Sequence, residues 1–264
     1  MDLGLEDRTA LVCGASAGLG KAIARALSRE GAAVAICSRS QARVDAAAEE
    51  ITGETGGRVV ALEADLTEPD EVKAVVAAAV EALGHLDILV TNTGGPPAGP
   101  FESHDAETWD HAIRQNFTSV VNLVRAALPG MKERRWGRIV NVTSISVKQP
   151  VGGLILSNSL RAGVTGFAKT ISNEAGPHNV TVNCVLPGYT RTERLDELAA
   201  SQSAGDETRT PEDVFRAWED QVPMARLAEP EELADLTAFL CSERAGYITG
   251  QSIAVDGGWI RGLI

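Results

Sequence analysis

A single α/β domain, a doubly wound parallel sheet with helices on both faces, is the fold class this sequence predicts. Three observations lead to it. Short, uniformly apolar runs alternate with longer amphipathic stretches from one end of the chain to the other, the pattern of strands buried on both faces and separated by helices. A glycine turn, CGASAGLG, stands directly between the first apolar run and the first amphipathic one. The 264 residues, 44% of them apolar, suit one full core better than two.

Taken in order, Thr9 to Cys13 reads as the first strand, followed by the glycine turn and a helix to about Glu30. Ala33 to Cys37 is the second strand, a helix starts near Gln41, and Arg58 to Glu63 is the third strand. Thr67 opens the next helix, with Pro69 in its first turn and Asp70 three residues on, a capping-box arrangement. His85 to Thr91 is the fourth strand, and a Pro- and Gly-rich loop from Gly94 to Pro100 leads into a long helix over 103–129. Arg138 to Val142 forms the fifth strand. The helix after it carries Leu156, Leu160, Val164, Phe167 and Ile171 at helical spacing. Val180 to Val185 is the sixth strand; a helix after Pro230 and a strand from Ser252 to Val255 close the fold. Between them, residues 190–226 are polar, charged and Ala-rich, with the loop-like GDETRTPED (205–213) in the middle. An insertion after a strand's carboxyl end reads as a cover over a pocket rather than a second domain. Residues 1–264 are thus one dinucleotide-binding domain of the Rossmann type, with ligands expected at the carboxyl ends of the strands.

Composition narrows the function classes. With 24 basic and 36 acidic residues the net charge is −12, which disfavours nucleic acid and anionic membranes as partners. There is no apolar run of membrane-spanning length and no signal-peptide pattern, so a soluble cytoplasmic protein is expected. Cys13, Cys37, Cys184 and Cys241 are far apart, as are His85, His104, His111 and His178. Buried free thiols fit that spacing, and a metal site does not.

The cofactor signal lies at the first turn. Gly14, Gly18 and Gly20 allow a tight turn and let backbone N–H groups approach a pyrophosphate at a helix N-terminus. Their spacing is G-x-x-x-G-x-G rather than G-x-G-x-x-G. The second strand ends ICSRS, without the acidic residue a ribose 2′-hydroxyl would want. Ser38 and Arg39 instead suit a 2′-phosphate, which favours NADP(H) over NAD(H); the alternative is a solvated loop arginine. Asp65, after the third strand, reads as a ligand or as a cap for the next helix. Asn92 and Gly94, in TNTGG, lie at the same edge of the sheet or simply in a turn.

In this order the residues resemble the short-chain dehydrogenase/reductase family over essentially the whole chain. The matching positions are Gly14, Gly18 and Gly20; Asp65 in ADLT; Asn92 and Gly94 where the family has Asn-Asn-Ala-Gly; and Asn116 in QNF. They continue with Ser144, with Pro187, Gly188 and Thr192 in VNCVLPGYTRT, and with ITGQSIAVDGG near the end. The chain is most similar in flavour to the 3-oxoacyl-acyl-carrier-protein reductases. The resemblance implies a cofactor-binding set of Gly14, Ser16, Gly18, Leu19, Gly20, Ser38, Arg39, Asp65, Leu66, Asn92, Gly94, Arg161, Pro187, Gly188, Thr190 and Thr192. It implies that Ser144 hydrogen-bonds a substrate carbonyl and that Asn116 supports a water relay. A small-molecule or acyl-thioester substrate follows, with a homodimer through helices 103–129 and 151–175, often doubled to a homotetramer.

At one place the match breaks. Where the family has its catalytic Tyr, and Lys four residues on, this chain has Ser157 and Arg161. The only tyrosines, Tyr189 and Tyr247, are followed four residues later by Glu193 and Gln251. A phenol, with a pKa of about 10 that a neighbouring cation lowers, is a workable acid; a serine alcohol is not. The catalytic set is therefore Asn116, Ser144, Ser157 and Arg161, with Ser157 ordering a water or the substrate and Arg161 gripping ribose hydroxyls. Lys148 and Tyr189 are candidate substitute acids. The sequence thus predicts an NADP(H)-dependent oxidoreductase acting on a carbonyl/alcohol pair. The rival readings are an NADP(H)-binding subunit with little turnover and an enzyme using the nucleotide for non-redox chemistry.

Overall fold

The computed structural model describes residues 2–204 and 210–263, so the first part of GDETRTPED, 205–209, lies outside the described residues. Seven strands form one parallel sheet: β1 (Thr9–Cys13), β2 (Ala33–Ser38), β3 (Val59–Glu63), β4 (Ile88–Thr91), β5 (Gly137–Val142), β6 (Val180–Pro187) and β7 (Ser252–Val255). Their order is β3-β2-β1-β4-β5-β6-β7, the doubly wound arrangement the sequence predicts. The chain reverses direction across the sheet between β1 and β4, which opens a crevice at their carboxyl ends.

Side-chain alternation along each strand builds two cores. Ala10, Val12, Val34, Ile36, Ile88, Val90, Val140 and Val142 pack on one face, under α1 (Gly18–Arg29), α2 (Gln41–Thr55) and the last helix of the chain, α9 (Pro230–Cys241). Leu11, Cys13, Ala35, Cys37, Leu89, Ile139, Val182 and Cys184 pack on the other. That face is covered by α3 (Pro69–Leu83), α5 (Ser119–Arg134) and α6 (Ile155–Ala175). All four thiols are free and buried. No helix among the described residues is long and apolar enough to cross a membrane.

The structure departs from the sequence-based expectations at four places. The fourth strand begins at Ile88 rather than His85, because His85 and Asp87 are drawn into a polar contact of 3.0 Å. Thr67 does not cap a helix: its N–H and hydroxyl both bond Asp65 Oδ1, at 2.9 and 2.8 Å, and α3 starts at Pro69 with Glu68 before it. The segment read as one helix over 103–129 is a short 3₁₀ turn (Phe101–Ser103), then α4 (Ala106–Ile113), a π-helical turn (Arg114–Thr118), and α5, which passes through Pro129 to Arg134. The stretch after β6 holds α7 (Glu193–Ser203) and α8 (Pro211–Glu219), the second opened by a Thr210–Asp213 capping box.

Candidate active site

A cleft of about 610 Å³ runs along the carboxyl ends of β1 to β6, over the point where the strand order reverses. At its centre is the N-terminus of α1. Ala17 precedes that helix without a side-chain cap, and its first turn holds no acidic residue. Ser16, Ala17, Gly18 and Leu19 line the cleft, so the free N–H groups and the positive end of the helix dipole face into it. Gly14 and Gly18 have φ of +57° and +54°, which L side chains rarely adopt. A Cβ at Gly14 would also meet the Asn92 carbonyl oxygen at 2.7 Å, and Asn92 Nδ2 donates to the Gly14 carbonyl at 3.1 Å. The turn is therefore an anion cradle, braced from β4. Those features fit a pyrophosphate.

One end of the cleft is lined by Ser38, Arg39, Ser40, Arg43, Asp65 and Leu66. Arg39 is exposed, and no described residue takes its guanidinium in a hydrogen bond or salt bridge. Burial raises the Asp65 pKa, but the two Thr67 hydrogen bonds and the Arg39 charge outweigh it and hold the carboxyl below its ordinary value. Asp65 thus acts both as a turn acceptor and as an ionised group on the wall. Arg43 reaches across the cleft mouth to Glu193 of α7 at 3.0 Å.

The other end gathers Asn92, Gly94, Ser144, Ser157, Arg161, Pro187, Gly188, Thr190 and Thr192. Ser144, at the end of β5, accepts the Ser146 N–H at 3.1 Å and keeps its own proton to donate. Ser157 and Arg161 sit one turn apart on α6 and face the same space. The Ser157 hydroxyl has no hydrogen-bond partner among the described residues. The Arg161 guanidinium donates to the Val142 carbonyl at 2.7 Å and to the Thr93 carbonyl at 3.3 Å. Burial pulls its pKa down to about 10, helped by the like charge of Arg194, so it remains a cation at neutral pH.

Two expected site residues are off the cleft wall. Gly20 is buried, and a Cβ there would lie 2.3 Å from the Gly14 carbonyl oxygen, so it serves the packing of α1 on its turn. Asn116 is wholly buried in the π-helical turn, where it bonds the Ala112 carbonyl and the Thr93 hydroxyl, both at 3.3 Å. Neither candidate acid is on the wall. Lys148 is exposed beyond Ser144. Tyr189 stacks on Trp218 with 5.0 Å between ring centroids, and burial raises its pKa away from neutrality. The structure adds Thr93, Gln115, Arg43 and Arg194 to the wall. Arg194 donates to the Pro96 carbonyl at 2.8 Å across the cleft.

Comparison with known proteins agrees with this architecture. A family profile described as Enoyl-(Acyl carrier protein) reductase matches residues 14–260. The chain is 36% identical over 256 residues to the 3-oxoacyl-(acyl-carrier-protein) reductase FabG of Vibrio cholerae, covering 97% of this chain and 98% of that one. It is 32% identical over 258 residues to the FabG of Aquifex aeolicus, covering 98% and 99%. Among solved structures, L-sorbose reductase from Gluconobacter frateurii, complexed with NADPH and L-sorbose, superposes with a TM-score of 0.94 at 33% identity over 100% of both chains. An actinorhodin polyketide ketoreductase with NADPH gives 0.92 at 33% identity, over 97% and 98%.

Proposed function

The chain belongs to the short-chain dehydrogenase/reductase family, and we propose that it is an NADP(H)-dependent oxidoreductase acting on a carbonyl/alcohol pair, 3-oxoacyl thioesters included, with altered acid–base residues. The observation that carries this reading is the uncapped α1 N-terminus between two left-handed glycines, at the centre of the cleft. The N–H groups of that turn hold the pyrophosphate, with Ser16 and Leu19 beside it, and Gly20 seats the helix close behind. Ser38 and Arg39 take the 2′-phosphate, and Asp65 and Leu66 flank the adenine. Asn92 and Gly94 follow the path of the two riboses, and Pro187, Gly188, Thr190 and Thr192 surround the nicotinamide. Once bound, the nicotinamide gives or accepts the hydride.

The chain's own groups do the rest. Ser144 accepts the Ser146 N–H and donates to nothing among the described residues, so its O–H is free to donate to the substrate oxygen. Ser157, with no partner of its own, orders a water or the substrate, and the proton comes from water in exchange with the solvent. Arg161 offers one of its three remaining N–H donors to the ribose, and a fixed charge that favours the developing alkoxide. Asn116 steadies Thr93 and, through it, the wall next to Arg161. Replacing a positioned general acid by water costs roughly 10²–10⁴ in rate, while alignment of the reacting carbons supplies ~7–11 kcal/mol. Turnover therefore survives in weakened form. The protein acts in the cytoplasm as a homodimer or homotetramer, with the described parts of the 190–226 segment, 190–204 and 210–226, covering the substrate.

A second reading, an NADP(H)-binding subunit with little turnover, is favoured by one observation: of the two tyrosines, one is stacked on Trp218 and the other, Tyr247, is fully exposed. Fluorescence titration with NADPH tests what both readings share, and saturable binding that is at least tenfold weaker for NADH is expected. Arg39→Ala should erase that preference. No saturable signal would sink both readings. Turnover on ketones and 3-oxoacyl thioesters then separates them, and Ser157→Tyr with Arg161→Lys should raise a weak rate if the acid alone is missing.

A further inference from the structure

We propose that the substrate carries a carboxylate close to its reacting carbonyl, as in an oxo acid or its hydroxy acid, and that Arg161 and Arg194 hold this carboxylate beside Ser157. The inference rests on the oxidoreductase reading and narrows its substrate class.

Arg161 is 8% exposed, lines the cleft, and has no carboxylate within salt-bridge distance among the described residues. A guanidinium has five N–H donors in a planar fork; the carbonyls of Val142 and Thr93 occupy two of its nitrogens. Carbonyl dipoles solvate a buried cation without neutralising it, and an uncompensated buried charge is unfavourable. Unlike an amine, a guanidinium does not readily escape this by losing its proton. The remaining donors call for an anion with two oxygens.

Arg194 brings a second guanidinium to the same loop. Arg161 bonds Thr93 from α6, and Arg194 bonds Pro96, three residues on, from the cover helix α7. Between these anchor points lie Gly94 and Gly95, both on the cleft wall, and a Cβ at Gly95 would stand 2.9 Å from Arg194 Nε. The like-charge effect of Arg194 on Arg161 fits this proximity. Two acidic residues share this part of the wall. Glu193 is engaged with Arg43. Glu197 pairs with Arg194 at 3.1 Å, but the side chains are 43% and 67% exposed, so the pair is weak and gives way to a better-placed anion. Ser157 adds an unpartnered hydroxyl next to Arg161. A carboxylate there accepts from Arg161, Arg194 and Ser157 together, whereas a neutral ketone leaves the charge of Arg161 unbalanced.

The test is isothermal titration of the protein saturated with NADP⁺, using 2-oxo and 3-oxo acids of roughly three to eight carbons, each beside its own methyl ester. At least one acid should bind tenfold or more tightly than its ester. Arg194→Gln, an exposed change on the cover helix, should weaken that acid about tenfold and leave the ester unchanged; Arg161→Lys should weaken it too. If no acid exceeds its ester, whether both bind equally or neither binds, the carboxylate assignment is overturned while the oxidoreductase reading stands on NADPH binding. If the NADPH titration itself fails, both fall together.

Discussion

A methyl group added at Gly20 would sit 2.3 Å from the Gly14 carbonyl oxygen and 2.8 Å from its carbon, and neither is a flexible side-chain end that can swing aside. The same methyl at Gly53, exposed in the last turn of α2, meets nothing within 4 Å. Alanine therefore acts oppositely at the two sites. Gly20→Ala should destabilise by about 1–3 kcal/mol as overpacking and weaken NADPH binding, because the turn that holds the pyrophosphate must shift. Gly53→Ala should stabilise by about 0.5–1 kcal/mol, since a helical backbone favours alanine. Urea unfolding of both variants checks this; a neutral Gly20→Ala would mean that the turn is looser than drawn. Single residues were legible in the sequence where the backbone itself demanded them, as at Gly14 and Gly18 with their positive φ. Arg194 and Arg43 were not, because their roles come from contacts across the cleft, at Pro96 and Glu193, that no local spacing encodes.

At the scale of elements, hydrophobic period and turn chemistry placed strands and helices well, and failed where a helix changes its own pitch. The π-helical turn at Arg114–Thr118 adds residues without breaking the apolar stripe on either side, so 103–129 read as one helix. Inside it, Asn116 joins two elements: its amide reaches back to Ala112, and its carbonyl oxygen takes the hydroxyl of Thr93 from the loop after β4. Asn116→Ala would remove two bonds made from a wholly buried side chain, one to the Ala112 carbonyl and one from the half-buried Thr93 hydroxyl, and should destabilise by about 1–3 kcal/mol. Because the Thr93 carbonyl also receives Arg161, the cost should extend to NADPH affinity. Thr93→Val removes only one hydroxyl bond and should be milder in both respects. Thermal melts and NADPH titrations of the two variants make the comparison; an Asn116→Ala variant with unchanged NADPH affinity would show that Asn116 does not couple the turn to the loop.

On the scale of the whole molecule, the sheet and its two faces were readable because the strands send apolar residues into both cores and every crossover contains a helix. The cover was not, since its apolar residues serve a small core of their own. Leu195, Ala199, Val214, Trp218 and Leu227 pack together, and Tyr189 joins that cluster to the main body at the end of β6. Beyond Tyr189, α7 and α8 are fastened by the Thr190–Ala228 bridge, the exposed Arg43–Glu193 and Arg191–Glu229 pairs, and the Arg194 bond to Pro96, while the far end of the cover is held at Gln221 by Trp259 and Arg261. Helices held largely by exposed polar contacts open at a lower free energy than a sheet buried on both faces. Backbone amides of α7 and α8 should therefore exchange with deuterium well before those of β1, β4 and β5. On the proposed function NADPH would bind the closed arrangement of this wall, so at about 100 times its dissociation constant it should slow exchange by roughly a hundredfold wherever opening abolishes binding. That protection belongs in the 14–20 turn and in α7, both of which line the cleft, and not in the outer face of α9, which does not. Uniform protection over all three would place the cover in the same cooperative unit as the sheet, whereas none in α7 would detach it from the cofactor site.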